Sequence, residues 1–155
     1  YTRKLKTEPI AGFEITESDE MYPTIKITPI SDNPDLSLFC YGGILEEVEQ
    51  AVEKVFYEEE ILCEVICPAI INPLNMYPIL QSIKKSRRLL IIEDGPTIAS
   101  LGSEVIARIS RNINHSLNVE RIGFDGIIPC SLIAEKNITP NSNSIALKIL
   151  EMLNE

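Results

Sequence analysis

The sequence predicts an α/β domain in which a mostly parallel sheet is covered by helices on both faces. Three observations predict it. Short apolar runs rich in β-branched residues alternate with amphipathic stretches of helical spacing, the order of repeated strand–helix–strand units. One run, RLLIIED at 88–94, holds four consecutive apolar residues without polar alternation, the mark of a strand buried on both faces. The chain has 155 residues, 45% apolar and 24% charged, which suffices for one domain with its own core.

The elements follow in chain order. Residues 1 to about 20 are polar and read as a linker or arm, so the domain is expected over 21–155. PTIKITPI (23–30) alternates Ile25 and Ile27 with polar residues, as a half-buried strand does. SDNP is a turn, and DLSLFCY (35–41) is a second strand ending in Gly42 and Gly43. The short turn predicts that these two strands pair, the first antiparallel. Over 44–58, Ile44, Val48, Ala51, Val52, Val55 and Phe56 recur at helical spacing with glutamates between them. ILCEVICP (61–68) is a strand. A helix over 74–85 tolerates Pro78 only in its first turn. After the buried strand 88–94, Ser103 is a candidate cap for a helix to about 113. NVERIGF is another strand, and NSNSIALKILEML closes as a helix capped by Asn or Ser around 141–144.

Charge and cysteine usage bound the function. A net charge of −9 argues against nucleic acid, whose phosphates require an excess of Lys and Arg, and permits a basic protein partner. No apolar run approaches the roughly 20 residues of a membrane span. A first residue of Tyr points to a fragment or processed product. Of Cys40, Cys63, Cys67 and Cys130, three fall in apolar strands. Cys63 and Cys67 would lie on one strand face, roughly 13 Å apart at ~3.3 Å per residue, too far for a disulfide and unlike a paired zinc spacing. Buried thiols in a reducing, cytoplasmic setting fit best.

The candidate chemistry is sparse. YGGILEE has two adjacent glycines where a dinucleotide loop needs G-x-G-x-x-G, so a close helix–sheet turn is the plainer reading. Glu93 and Asp94 end the buried strand, where ligands bind in open α/β sheets. They suit a general base or a pair of metal ligands, but no further ligand set accompanies them. His115 sits in the polar stretch NINHSLN and reads as a solvated loop residue. Glu58, Glu59 and Glu60 read as a solvated helix end. Lys84, Lys85, Arg87 and Arg88 stand where a helix dipole favours cations. No nucleophile motif such as G-x-S-x-G is present. The residues alone therefore indicate a compact α/β domain with no visible catalytic, cofactor-binding or metal set.

One stretch carries more. NPLNMYPILQSIKKSRRLLIIEDGP resembles a segment of the C-terminal domain of transketolase-like enzymes: Pro-Leu, a helix ending in Ser-hydrophobic-Lys-Lys, and an Arg-Leu-led strand closing in acid-small-Pro. The closest form is the beta subunit of the decarboxylating first component of 2-oxo acid dehydrogenase complexes. DLSLFCYG is similar to that family's Asp-led strand ending in Tyr-Gly. Gly102 with Ser103, Glu104 and Val105 is similar to its helix start, and Asp125, Pro129, Ser131, Glu135 and Pro140 keep the spacing of its late segment. The resemblance covers about 23–153. Cys67 departs from a frequent Asp, Asn72 from Arg and Glu93 from His, and the Glu-Asp-Gly form is also similar to deoxyxylulose-phosphate synthases.

The resemblance implies a three-layer α/β/α domain with a five-stranded, mostly parallel mixed sheet whose first strand is antiparallel. It implies a parent enzyme, an oxidoreductase or a transketolase-like transferase, that uses thiamine diphosphate and magnesium held on other domains. These residues would then bind neither and would be inactive alone. Implied partners are the remaining domains in a homo- or hetero-oligomer, and the basic subunit-binding domain of a dihydrolipoyl acyltransferase, with neither nucleic acid nor membrane. Asp94 is expected to hold its loop through backbone amides, with Gly95 and Pro96 setting the turn. Gly102, Asp125, Pro129 and Glu135 are the other structural or interface candidates. The alternative is a stand-alone module for a nucleotide or small anion, using helix N-termini near Gly42 and Ser103.

Overall fold

Apolar side chains on both faces of its central strands dictate a sheet sandwiched between helices. The structure, a computed structural model, describes residues 10–31, 33–127 and 129–154; the first nine residues of the expected arm lie outside them. The strands are β1 (Phe13–Glu17), β2 (Thr24–Pro29), β3 (Leu36–Cys40), β4 (Cys63–Pro68), β5 (Arg88–Pro96) and β6 (Asn118–Phe124). The helices are α1 (Leu45–Glu59), α2 (Tyr77–Ser86), α3 (Leu101–Ser110), α4 (Leu132–Ile138) and α5 (Ser142–Asn154), with a single 3-10 turn, Gly42–Ile44, leading into α1.

The strands form one sheet in the order β1-β2-β4-β3-β5-β6. β4, β3, β5 and β6 are mutually parallel, and β1 and β2 run antiparallel at one side. Alternation sorts the core. Leu38, Cys40, Val65, Leu90 and Ile92 face α1 and α5. Phe39, Ile66, Leu89 and Ile91 face α2 and α3. This is the expected three-layer, mostly parallel α/β architecture.

Two features differ from expectation. The sheet has six strands, because Phe13–Glu17, within the stretch read as an arm, adds an edge strand. Ile10 and Phe13 are buried, and the Phe13 ring meets Phe56 of α1 edge-on at 5.1 Å. That aromatic contact anchors a strand whose acidic residues hide it in the sequence. Second, β2 does not pair with β3. It is antiparallel to β1 and β4, with Ile27 opposite Val65. β3 is buried along its whole length and takes two parallel neighbours, β4 and β5, so SDNP carries the chain past β4 instead of closing a hairpin.

The helices follow their patterns with shifted ends. Pro78 falls in the first turn of α2, where its missing N–H costs nothing. α3 starts at Leu101 after Ser100, two residues before the expected cap, and stops at Ser110. Asn141 caps α5: its Oδ1 accepts the N–H groups of Asn143 and Ser144, both at 3.1 Å, while the Ser144 hydroxyl accepts the Asn141 N–H at 2.9 Å. This reciprocal pairing satisfies the orphan donors of a helix start. α4 was not expected; it is one short segment on which Ile133 and Ile138 are exposed.

Candidate functional site

Chain direction decides where a site would lie. From β3 the chain crosses through α1 to β4; from β5 it crosses through α3 to β6 on the opposite side. α1 and α3 lie on opposite faces, so the strand order reverses between β3 and β5. The crevice beyond the carboxyl ends of two such strands is where open α/β sheets hold ligands. Tyr41 and Glu93 stand there.

On its α3 side this crevice is filled by the protein's own side chains. Glu93 continues the parity of Ile91, so it points under the start of α3, where it is only 1% exposed. Its Oε1 accepts the Gly102 N–H at 3.0 Å and the Tyr41 hydroxyl at 3.1 Å. Its Oε2 accepts the Ser100 hydroxyl at 2.7 Å and Arg121 Nη2 at 3.1 Å. The same nitrogen of Arg121 donates to the Thr97 carbonyl, and Nη1 donates to Ser103 Oγ at 3.1 Å. A carboxylate at a helix N-terminus, paired with an arginine, is stabilised by the dipole and by charge-assisted hydrogen bonds. Burial and the neighbouring Glu93 carboxylate push the Tyr41 phenol up to about 12, so it remains a donor through the physiological range.

Two glycines make room for this cluster. A Cβ at Gly102 would stand 2.6 Å from Glu93 Oε2 and 2.9 Å from Ile91 Cγ2. One at Gly123 would stand 2.7 Å from the Gly95 carbonyl oxygen. The backbone of α3 and β6 therefore approaches β5 more closely than any side chain permits.

The role expected of Asp94 falls to its neighbour. Glu93 makes the backbone-amide bond, whereas Asp94 has the opposite parity at a strand end beyond the helical cover and is exposed. Among the described residues the Asp94 carboxylate makes no hydrogen bond. Gly95 and Pro96 do not form the turn either. β5 bulges between Ile92 and Pro96 and rejoins β6 with Pro96 opposite Phe124; the turn follows at 97–100. Asp125 is exposed and accepts a hydrogen bond from the Thr97 hydroxyl, tying the ends of β5 and β6. Asp94 and Glu135 share a cleft of about 530 Å³ with Glu47 and Lys136. Pro129 is half-buried on the connection to α4, apart from that cleft. Of the residues singled out in the sequence, Glu93 and Gly102 enter the buried cluster, and Ser103 accepts from Arg121 at its exposed edge. Sequence reading missed Tyr41, Ser100 and Arg121. A lone arginine inside NVERIGF, beside a strand ending in Glu, was the available signal.

A second polar cluster lies under α2. Glu64 on β4 is 1% exposed and pairs with Lys26 at 2.7 Å and the Thr28 hydroxyl at 3.2 Å. Burial alone would raise its pKa, but Lys26, Ser82 and Thr28 outweigh it and hold the carboxyl below the ordinary value. Beside it, Ser37 Oγ lies 2.6 Å from Ser82 Oγ and 2.7 Å from Ser86 Oγ, and Ser86 donates onward to the Arg88 carbonyl. Each hydroxyl of this buried set has a partner, as buried polar groups require.

Elsewhere, His115 is exposed in its loop, and Lys84 and Lys85 occupy the last turn of α2. Cys40, Cys63 and Cys67 are buried thiols, and Cys130 is exposed. No group of three or more His, Cys, Asp or Glu residues suited to a metal occurs among the described residues. No described helix is long and apolar enough to cross a membrane.

Fold and crevice together define an α/β/α domain whose carboxyl edge is packed with its own polar side chains on the α3 side and open at the cleft by Gly43 and Asp94 on the α1 side. The family model "Transketolase, C-terminal domain" matches residues 26–145, and the chain belongs to that family. A pyruvate dehydrogenase E1 component subunit beta from Rickettsia bellii is 27% identical over 146 residues, covering 91% of this chain and 45% of that protein. A mitochondrial 2-oxoisovalerate dehydrogenase subunit beta from Dictyostelium discoideum is 25% identical over 144 residues, covering 91% and 36%. The chain thus spans less than half the length of these relatives. Among solved structures, a split-gene transketolase described as an inactive beta4 tetramer superposes with a TM-score of 0.69 at 17% identity, over 79% of this chain and 40% of that one. That likeness bears on the fold.

Proposed function

We propose that this chain is the C-terminal assembly domain of the beta subunit of a thiamine-diphosphate-dependent 2-oxo acid dehydrogenase, and that the reaction centre it supports lies outside these residues. The observation that carries the reading is the packed α3 side of the crevice, where Glu93 accepts hydrogen bonds from Tyr41, Ser100, Gly102 and Arg121 in place of a ligand. The names and lengths of the relatives support it, since this chain corresponds to under half of a dehydrogenase beta subunit.

The residues present do not fit a diphosphate with magnesium. Two of the helix N-termini already hold a carboxylate. Glu93 accepts the Gly102 N–H at the start of α3, and Glu47 accepts the Ser142 N–H at 2.8 Å at the start of α5. A second anion there would meet a carboxylate, which also weighs against the stand-alone nucleotide or anion module. In this reading Asp94, Gly95, Pro96, Asp125, Pro129 and Glu135 shape surfaces met by other domains. The negative charge of −9 attracts a basic docking module such as the subunit-binding domain of an acyltransferase. The working compartment is cytoplasmic, which suits buried free thiols.

The test is reconstitution. The chain alone is expected to leave 2-oxo acids untouched, whereas fusion to the N-terminal half of a beta subunit, expressed with its alpha subunit, is expected to restore decarboxylation. Turnover of a 2-oxo acid by the isolated chain would overturn the proposal.

A further inference from the structure

We infer that Cys40 and Cys67 form a modification site: an adjacent thiol pair that a peroxide converts into a reversible disulfide. The reading is independent of the parent enzyme. It starts from register. β3 and β4 are parallel, with Leu36 opposite Cys63 and Phe39 opposite Ile66. The next residue on each strand is therefore Cys40 opposite Cys67. Neighbouring strands lie about 4.8 Å apart, within the roughly 4.4–6.8 Å between Cα atoms that a disulfide spans. Both side chains are on the α1 face and pack in the same apolar cluster.

The two sulfurs have different surroundings. Cys67 lies near the end of β4 and is 7% exposed, whereas Cys40 is 0% exposed. The neighbouring Cys40 thiol, helped by the Gly42 amide, holds Cys67 below the ordinary thiol value against burial and the Glu49 carboxylate, while Cys67 and burial push Cys40 up. Cys67, the more exposed sulfur, is thus the attacking one and Cys40 the resolving one. Cys63, on the same face of β4, stands opposite Leu36 and has no thiol across the ladder.

The chemistry balances with hydrogen peroxide as oxidant. The Cys67 thiolate attacks one peroxide oxygen; the S–O bond forms, the O–O bond breaks, and hydroxide leaves and takes up the thiol's proton as water. The Cys40 sulfur then attacks the Cys67 sulfenic acid, the S–S bond forms, the S–O bond breaks, and the hydroxyl leaves as water with the Cys40 proton. Two thiols lose two electrons and two protons, and peroxide becomes two waters. A dithiol reductant reverses the bridge by exchange.

The test uses the whole 155-residue chain, folded, treated with hydrogen peroxide and then with N-ethylmaleimide. Expected is an intact mass lower by two hydrogens at this pair, restored by dithiothreitol. Digestion with trypsin and a glutamyl endopeptidase, which cuts after Glu64 and so separates Cys63 from Cys67, is expected to yield a peptide pair joined through Cys40 and Cys67. Cys63→Ser is expected to keep that bridge, and Cys67→Ser to abolish it. Oxidation confined to Cys130, or a bridge that runs to Cys63, would overturn the inference from wild-type protein alone, without reliance on either variant's folding.

Discussion

The Glu93 carboxylate takes hydrogen bonds from Tyr41, Ser100, Gly102 and Arg121, donors drawn from three separate parts of the chain. Removing its charge leaves Arg121, 21% exposed, without its ion partner over a packed crevice. Glu93→Gln is therefore expected to destabilise by about 3 kcal/mol, the low end for a broken buried pair. Urea unfolding checks it, and an unchanged midpoint would mean the cluster is ornamental. Gly102→Ala is expected to cost about 1–3 kcal/mol, because its methyl group would strike Glu93 Oε2 at 2.6 Å. The sequence showed that acids end β5 but pointed to Asp94. What separates the two residues is parity under α3. One bulge and a three-residue shift of a helix start were enough to hide it, and Arg121 joins only through the parallel pairing of β5 with β6.

Among the elements, long apolar runs and amphipathic helices were legible because burial on a fixed period leaves a strong mark. α1, α2, α5 and the central strands carry it. β1 was hidden because five residues with two glutamates carry too little apolar signal, and its place depends on Phe56, far along the chain. The β2 pairing was misread because a short connection does not reveal a strand inserted later, β4. Lys26 ties β2 to β4 through Glu64 and makes this join sensitive to acid. The Glu64 carboxyl titrates below its ordinary 4.5 in the folded chain. Its stabilisation is whole above that value and is lost as pH falls through the depressed folded value. Urea midpoints are expected to drop on acidification below about pH 4.5, and Lys26→Met is expected to shrink that drop. An identical acid profile in the variant would remove Lys26 from the account. At the other face, Asn141→Ala is expected to cost about 1 kcal/mol through the lost cap of α5, measured by the same unfolding experiment.

For the whole molecule, a sheet buried on both faces and a crevice packed by its own residues on the α3 side accompany membership of the transketolase C-terminal domain family. The family was legible in the order and spacing of several weak motifs spread over most of the chain. The packed crevice was not, because it depends on side chains brought together from β3, β5, β6 and α3. Because the starts of α3 and α5 already hold the Glu93 and Glu47 carboxylates, a diphosphate is repelled there. Calorimetric titration of the isolated chain with thiamine diphosphate and magnesium tests this most directly. The account predicts no saturable heat, and a one-to-one isotherm in the micromolar range would contradict it.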